Sequence, residues 1–289
     1  MAAEKALAEQ YQKKTDKEHI LDNPDTYIGS VDNIESDMYS FDSESKKMVF
    51  GKHVINPGLF KLFDEAIVNC RDHAVRMRTA MMTCKPNIIP LTYIDITMQE
   101  DGTVIMTNDG NGIDIAMHPE HKIWIPEMIF AHLRTGTNYN KKEKKIVGRK
   151  NGFGSKLIFI WSTYGKIETV DHVRKLKFTQ EYFDNLDKKS EPVIKKTSIK
   201  PFTRITFKPD YKRLGMQGIT PDMIKLFTKR IYDIAAVTDK TVKVKMNGEP
   251  IPVKTFQHNI DLYIGTKEET KRVYESESDR WEYAVCLSP

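Results

Sequence analysis

From Gly58 to Met82 the chain reads GLFKLFDEAIVNCRDHAVRMRTAMM, and Phe63, Ala66, Ile67, Cys70 and Ala74 recur at spacings of three and four. That period predicts one long amphipathic helix with a single apolar stripe. The period then changes to two. TYIDITM and TVIMT alternate apolar and polar residues on either side of QEDG, where Asp101-Gly102 suits a tight turn, so a strand pair is predicted. A short helix near Pro126 to Leu133 comes next, then the polar segment TGTNYNKKEKK. SKLIFIWST lacks Gly and Pro and predicts a buried helix, while GKIETVD, KLKFTQEYF and TRITFKP predict further strands of the same sheet. A second long helix opens with Thr220 as N-cap, Pro221 at its first position and Asp222 in its first turn. Beyond it, TVKVKMNGEPIPV predicts a strand pair around Asn247-Gly248, and RWEYAVCLSP predicts one more strand.

The order of elements divides the chain into an N-terminal arm over residues 1–18, a complete α/β unit over 19–238, and the opening of a second, incomplete domain over 239–289. Composition agrees with a soluble globular protein: 39% hydrophobic and 29% charged residues over 289 positions. No apolar run approaches ~18 residues and the N-terminus is polar, so no membrane partner is expected. Cys70, Cys84 and Cys286 stand far apart with no metal-ligand spacing, which points to reduced thiols in an intracellular protein. A net charge of +5, from 45 basic and 40 acidic side chains, allows nucleic acid as a partner without demanding it.

Candidate chemistry sits at three places. At ~100° per residue on the first long helix, Asn69, Asp72 and Arg76 fall within ~40° of Glu65, so four polar groups share one narrow face. The same face would equally serve as the solvated side of an amphipathic helix. Asp109 ends the second strand of the hairpin and, with Gly110 and Gly112 behind it, is read as the carboxylate of a D-x-G-x-G pattern. Small residues there let a flat ligand lie against the backbone while a carboxylate accepts a hydrogen bond from an exocyclic amine. The third place is GRKNGFGSK, from Gly148 to Lys156. It fits neither common phosphate motif, because Phe153 stands five positions after Gly148 and Leu157 three after Gly154.

An E-x-x-x-N helix, a glycine pattern after a hairpin and a glycine loop opening a helix, in that order, resemble the GHKL ATP-binding superfamily of gyrase, heat-shock chaperone ATPases, histidine kinases and mismatch-repair ATPases. Within it, EHILDNPDTYIGSVD, FDEAIVNCRDH, VGRKNGFGSKL and KMNGEPIPV are similar to the N-terminal ATPase region of eukaryotic-type, type IIA topoisomerases, from about His19 onward. The resemblance implies an α+β fold, the two-layer Bergerat sandwich with a mixed sheet, followed by the start of a transducer domain. It implies ATP and Mg²⁺ as cofactors, a homodimer closed by ATP, and duplex DNA as the partner of the complete enzyme.

The resemblance also implies roles. Glu65 matches the general base that activates water, and Asn69 the residue that holds Mg²⁺ against the phosphates. Arg76, Thr137 and Asn138 match nucleotide contacts, with Gly136 beside them, and Asp109 with Gly112 matches the adenine site. Arg149, Lys150, Asn151, Gly152, Phe153, Gly154, Ser155 and Lys156 match the phosphate loop, whose backbone donors and cations would meet the anionic oxygens. Tyr27 matches an arm residue that reaches the nucleotide of the other subunit. Three positions depart from the eukaryotic pattern: Asp109 where Asn is usual, Gly136 where Ser is usual and His73 where Asn is usual. The expected location is the nucleus of a cellular eukaryote, or a viral factory or cytoplasm otherwise. Two other readings stay open. A histidine kinase would need a phosphate-accepting His ahead of the ATP domain, for which only His19 is placed, in an arm too short for a helical hairpin. A non-enzymatic DNA-binding module with a degenerate pocket is opposed by the intact Glu65 and Asn69.

Overall fold

The computed structural model describes residues 14–133, 154–278 and 281–287. The chain enters through helix α1, Asp16–Asp22, where the Thr15 hydroxyl and the Glu18 carboxylate cap each other's backbone, and the one-turn helix α2, Pro24–Tyr27. The arm expected over residues 1–18 therefore ends in a capped helix, because the T-x-x-E spacing forms a capping box. A hairpin follows, β1, Ile34–Asp42, and β2, Lys47–Ile55, which is absent from the sequence reading. Its apolar residues are unevenly distributed, and several, including Phe50 and Val49, lie exposed, so no clean alternation marks it.

Helix α3, Pro57–Met82, is the long helix that the 3.6-residue period predicts. Its start is fixed by Asn56, whose Oδ1 accepts from Leu59 N at 2.9 Å. The same side chain is fully buried, and its Nδ2 donates to the Val31 carbonyl at 2.7 Å and the Leu214 carbonyl at 3.0 Å. One amide thus caps the helix and ties it to two distant loops.

The predicted hairpin is β3, Tyr93–Met98, and β4, Val104–Asp109, turned at Gly102, whose φ of +79° suits glycine. Then come α4, Ile125–Ala131, α5, Gly154–Ile160, and the strands β5, Ser162–Asp171, β6, Leu176–Phe183, β7, Lys188–Lys189, β8, Val193–Lys196, and β9, Phe202–Pro209. The apolar run Leu157 to Trp161 is buried as expected, but the helix ends at Ile160 and Ser162 already belongs to a strand. Helix α6, Pro221–Ala236, starts as predicted, with the Thr220 hydroxyl accepting from Met223 N. The chain closes with β10, Lys243–Met246, β11, Glu249–Pro250, α7, Phe256–Ile264, and the hairpin β12, Arg272–Ser278, with β13, Trp281–Cys286.

Among the described residues, nine strands form one sheet in the order β11-β10-β3-β4-β9-β5-β6-β7, with β8 on β6. The β10–β3 pair is parallel and the others are antiparallel, so the sheet is mixed. The boundary expected at 238/239 falls inside this sheet, because β10 returns to pair with β3 and covers its edge. Helices α3, α5 and α6 cover one face, where Phe63 of α3 stacks on Phe227 of α6 at 4.0 Å. Register explains the layering. Ile96, Met106, Ile205 and Ile167 are directly opposite one another in consecutive strands and are all buried under the helices.

Replacing Asn56 by Ala removes the cap, costing about 1 kcal/mol, and leaves the buried Leu214 carbonyl and the partly buried Val31 carbonyl without this donor, together costing about 1–3 kcal/mol. Urea unfolding should show a loss of about 3 kcal/mol, the sum of those two effects. A loss below about 1 kcal/mol would mean that the amide is a cap alone.

Candidate functional site

At one end of the helix-covered face the sheet turns polar. The row beyond Ile96 and Met106 runs Ile94, Asn108, Thr203 and Thr169, each opposite the next. Asn108 and Thr169 are buried, and the two threonine hydroxyls lie 3.0 Å apart. Above this sheet run the polar residues of α3. Glu65 and Asp72 are buried, Asn69 is half-buried and Arg76 is exposed. The polar face predicted by the helical wheel is therefore largely an interior surface, not a solvated one. Lys61, one turn back, holds Oε1 of Glu65 at 2.8 Å.

The glycine segment after β4 joins the helix to the sheet. His73 Nε2 donates to the carbonyl of Asn111 at 2.8 Å, and Nδ1 faces the Arg76 guanidinium at 3.5 Å. Burial, reinforced by that cation, pushes the His73 pKa down to about 4, so the ring is neutral, with one nitrogen donating and the other accepting. Gly110 has φ +86°, and a Cβ on Gly112 would lie 1.9 Å from the Val170 carbonyl oxygen. Gly112 is thus required by the close approach of β5, which Ile113 N extends by donating to Thr169 Oγ1 at 2.9 Å.

Asp109 is engaged at the end of its strand. Its Oδ1 accepts from Thr92 N at 2.7 Å and Tyr93 N at 2.9 Å, and its Oδ2 accepts from the Thr92 hydroxyl. Both oxygens are therefore spent closing the strand end, on the face away from α3. Strand alternation gives the helix side to Asn108, which pairs with buried Ile94. Counting back from the glycines gives the same answer, since Asn108 stands two before Gly110 and four before Gly112. Asn108, rather than Asp109, thus opens an N-x-G-x-G pattern with those two glycines.

On the other side of α3 packs α5, opened by Gly154. Ser155 donates to the Ile129 carbonyl at 3.2 Å and so ties α5 to α4. Lys156 has only 1% of its surface exposed, and burial pushes its pKa down to about 8. Gly136, Thr137, Asn138, Arg149, Lys150, Asn151, Gly152 and Phe153 lie outside the described residues. Tyr27 is held in its own chain, half-buried, with its hydroxyl 3.1 Å from His19 Nδ1. The structure brings Glu65, Asn69, Asn108, Gly112 and Lys156 to the elements around one end of the sheet. The sequence reading missed Asn108, Thr169 and the His73–Asn111 bond. Period-two parity was the signal available for Asn108, whereas the other two are tertiary.

Among the described residues no helix is long and apolar enough to cross a membrane. The three cysteines are free, and burial pushes the Cys70 thiol up to about 12, which keeps it inert.

The chain matches no protein-family model. It is 40% identical over 294 residues to DNA topoisomerase 2 of Arabidopsis thaliana, an alignment that covers 99% of this chain and 19% of that protein. The chain thus spans about a fifth of the length of this curated relative. Among solved structures, the ATPase region of Saccharomyces cerevisiae topoisomerase II superposes with a TM-score of 0.89 at 37% identity, covering 98% of this chain and 72% of that one. The ATPase and transducer domains of DNA topoisomerase II from Balamuthia mandrillaris superpose with a TM-score of 0.87 at 36% identity, covering 97% and 69%.

Burial lowers the pKa of the Lys156 amine from an ordinary value of 10.5 to about 8. Between those values the unfolded chain binds more protons, so raising the pH there stabilises the fold. Melting curves of the native chain and Lys156→Met between pH 7.5 and 10 should therefore converge or cross as the native chain gains. Parallel curves would show that the amine carries no such penalty.

Proposed function

This chain belongs to the DNA topoisomerase II family and has the fold of its ATPase region, the two-layer sandwich of the GHKL ATPases, and from that premise we propose that it is an ATP-operated dimerisation gate. Within a complete enzyme the gate couples ATP binding and hydrolysis to the passage of one DNA duplex through another. The observation that carries this reading is a buried acid and a half-buried amide one turn apart on α3, beside the polar row that ends the sheet.

Each residue then has a task. Asn108 presents an amide that can both donate to and accept from the edge of the adenine base, with the Thr169 hydroxyl next to it in the row. The neutral His73 fixes the backbone of Asn111 and so sets the position of Gly110 and Gly112. Asn69 offers a hard amide oxygen, and with the buried carboxylate of Glu65 one turn away this donor set fits Mg²⁺. Bound Mg-ATP supplies the phosphoanhydride whose hydrolysis resets the gate. Glu65 accepts the proton of the attacking water, and Lys61 keeps its carboxylate oriented at 2.8 Å. Lys156 offers a cation from a desolvated position, where attraction to phosphate oxygens is stronger than in water. Positioning and electrostatics provide most of the rate in phosphoryl transfer, and this arrangement supplies both.

Closure requires the arm to leave its own chain. Tyr27 exchanges its contact with His19, and Lys17 its ion pair with Asp187, for contacts in the partner subunit. Both contacts are partly solvated, so breaking them costs little.

Sedimentation of this chain with Mg²⁺ and a non-hydrolysable ATP analogue should convert a monomer to a dimer, and omission of the analogue should leave the monomer. Analogue binding without dimerisation would remove the gate while keeping the ATP site, and no binding would remove both. In the complete enzyme, Glu65→Gln should retain nucleotide affinity and lose about 10²–10⁴-fold in turnover. Loss of a base contact at Asn108→Ala should weaken ATP binding by about tenfold, the value of a typical hydrogen bond. Asp109→Ala should lower stability but leave nucleotide affinity within twofold, and the reverse ranking of these two variants would restore Asp109 as the base reader.

A further inference from the structure

Between β4 and α4 the chain forms a small closed loop that the nucleotide reading does not use. Met117 and Trp124 form a β-bridge, His118 N donates to the Ile123 carbonyl at 2.8 Å, and Lys122 N donates back to the His118 carbonyl at 3.0 Å. Ile125 N, at the start of α4, donates to the Ala116 carbonyl at 3.0 Å, and Lys122 adopts φ +53° to complete the turn. The loop is therefore anchored at its neck by backbone bonds, and what it presents at its tip is chemically specific.

The tip reads HPEH, residues 118–121. The ligand atoms of His118, Glu120 and His121 all lie within 4.8 Å of one another. The two imidazoles stack with ring centroids 4.6 Å apart and planes 23° apart, which places them side by side rather than across from each other. Bonds of about 2.0–2.2 Å from an ion to imidazole nitrogen and carboxylate oxygen put neighbouring donors roughly 3–4 Å apart. Modest side-chain rotations at these solvent-facing positions close the remaining gap.

We propose that His118, Glu120 and His121 form a binding site for one divalent transition ion of the zinc, copper and nickel class. The donor set selects that class. Two imidazoles are borderline ligands that favour these ions, whereas Mg²⁺ requires an oxygen-rich octahedral shell. Three protein donors on an exposed loop leave further positions for water, so the ion exchanges with solvent.

Affinity is limited by one feature of the loop. His118 Nδ1 accepts long hydrogen bonds from the backbone of Glu120 at 3.3 Å and His121 at 3.4 Å. A neutral imidazole has a single lone pair, so an incoming ion competes with these bonds, and the site binds more weakly than a closed structural zinc centre. The proposal does not depend on the nucleotide reading, because none of the three residues belongs to the polar row or to α3.

The test is titration of the untagged chain with Zn²⁺ by calorimetry and with Co²⁺ by visible absorption, at pH 7.5 in excess Mg²⁺. One ion per chain is expected. His118→Ala, His121→Ala and Glu120→Gln should each weaken binding by about tenfold or more. The exposed thiol of Cys84 is the main competing ligand, so Cys84→Ser should leave the binding unchanged. Absence of binding in the native chain would overturn the proposal. So would binding that survives the His118→Ala, His121→Ala double variant or disappears with Cys84. Circular dichroism of each variant confirms the fold, and an ATP analogue should bind the double variant as it binds the native chain.

Discussion

Helix α3 has to be buried on two sides at once, and its depth and rotation against the sheet decide what the rest of the molecule can do. Its apolar stripe fills the space over Ile94, Ile96 and Met106, while its polar stripe lies along the edge of the same layer. A rotation of one residue, ~100°, would bury the acids in the apolar core and expose Phe63 and Ile67. Two hydrogen-bonding side chains hold the helix against such a rotation. Asn56 fixes the first turn to the Val31 and Leu214 carbonyls, and His73 fixes the fifth turn to the Asn111 carbonyl. Both lie in desolvated surroundings, where losing a partner is costly, so they define the position more sharply than hydrophobic packing alone.

The sheet complements the helix by changing character along its length. Rows of directly opposed residues run across four strands, apolar in the middle and polar where β4, β9 and β5 end. That polar row is what separates a packed core from a site. The glycines after β4 let the backbone pass within contact of Val170, and a side chain at Gly112 would push the loop away and open the site floor. Desolvation then acts on two cationic groups nearby: it drives His73 to its neutral form and lowers the Lys156 pKa to about 8.

A second buried charge braces the short helix ahead of residues 134–153. Glu127 of α4 is buried yet accepts from Lys189, from Gln180 at 3.1 Å and from His132 at 3.2 Å. Lys189, with the hydrogen bonds from His132 and Gln180, holds its carboxyl below the usual range although burial opposes this. Three partners from two strands and the helix end thus fix α4 in place.

The long helices, the β3–β4 hairpin, the start of α6 and the family resemblance were all legible in the sequence, because periodicity, caps and turn residues are local properties. So was the polar face of α3, as a pattern. Whether that face met solvent or the protein interior was not, since the same wheel describes both until the sheet and α5 are packed beside it. The neighbours Asn108 and Asp109 illustrate the division. The sequence pointed to Asp109, and only the bonds from Thr92 and Tyr93 showed that its carboxylate is committed to the strand end, which leaves the helix side to Asn108. The return of β10 to the sheet and the β1–β2 hairpin were also decided in three dimensions, the first by pairing across more than a hundred residues. Local sequence determined which elements form and which chemistry they carry, whereas burial, register and contacts between distant residues determined which of those groups face one another.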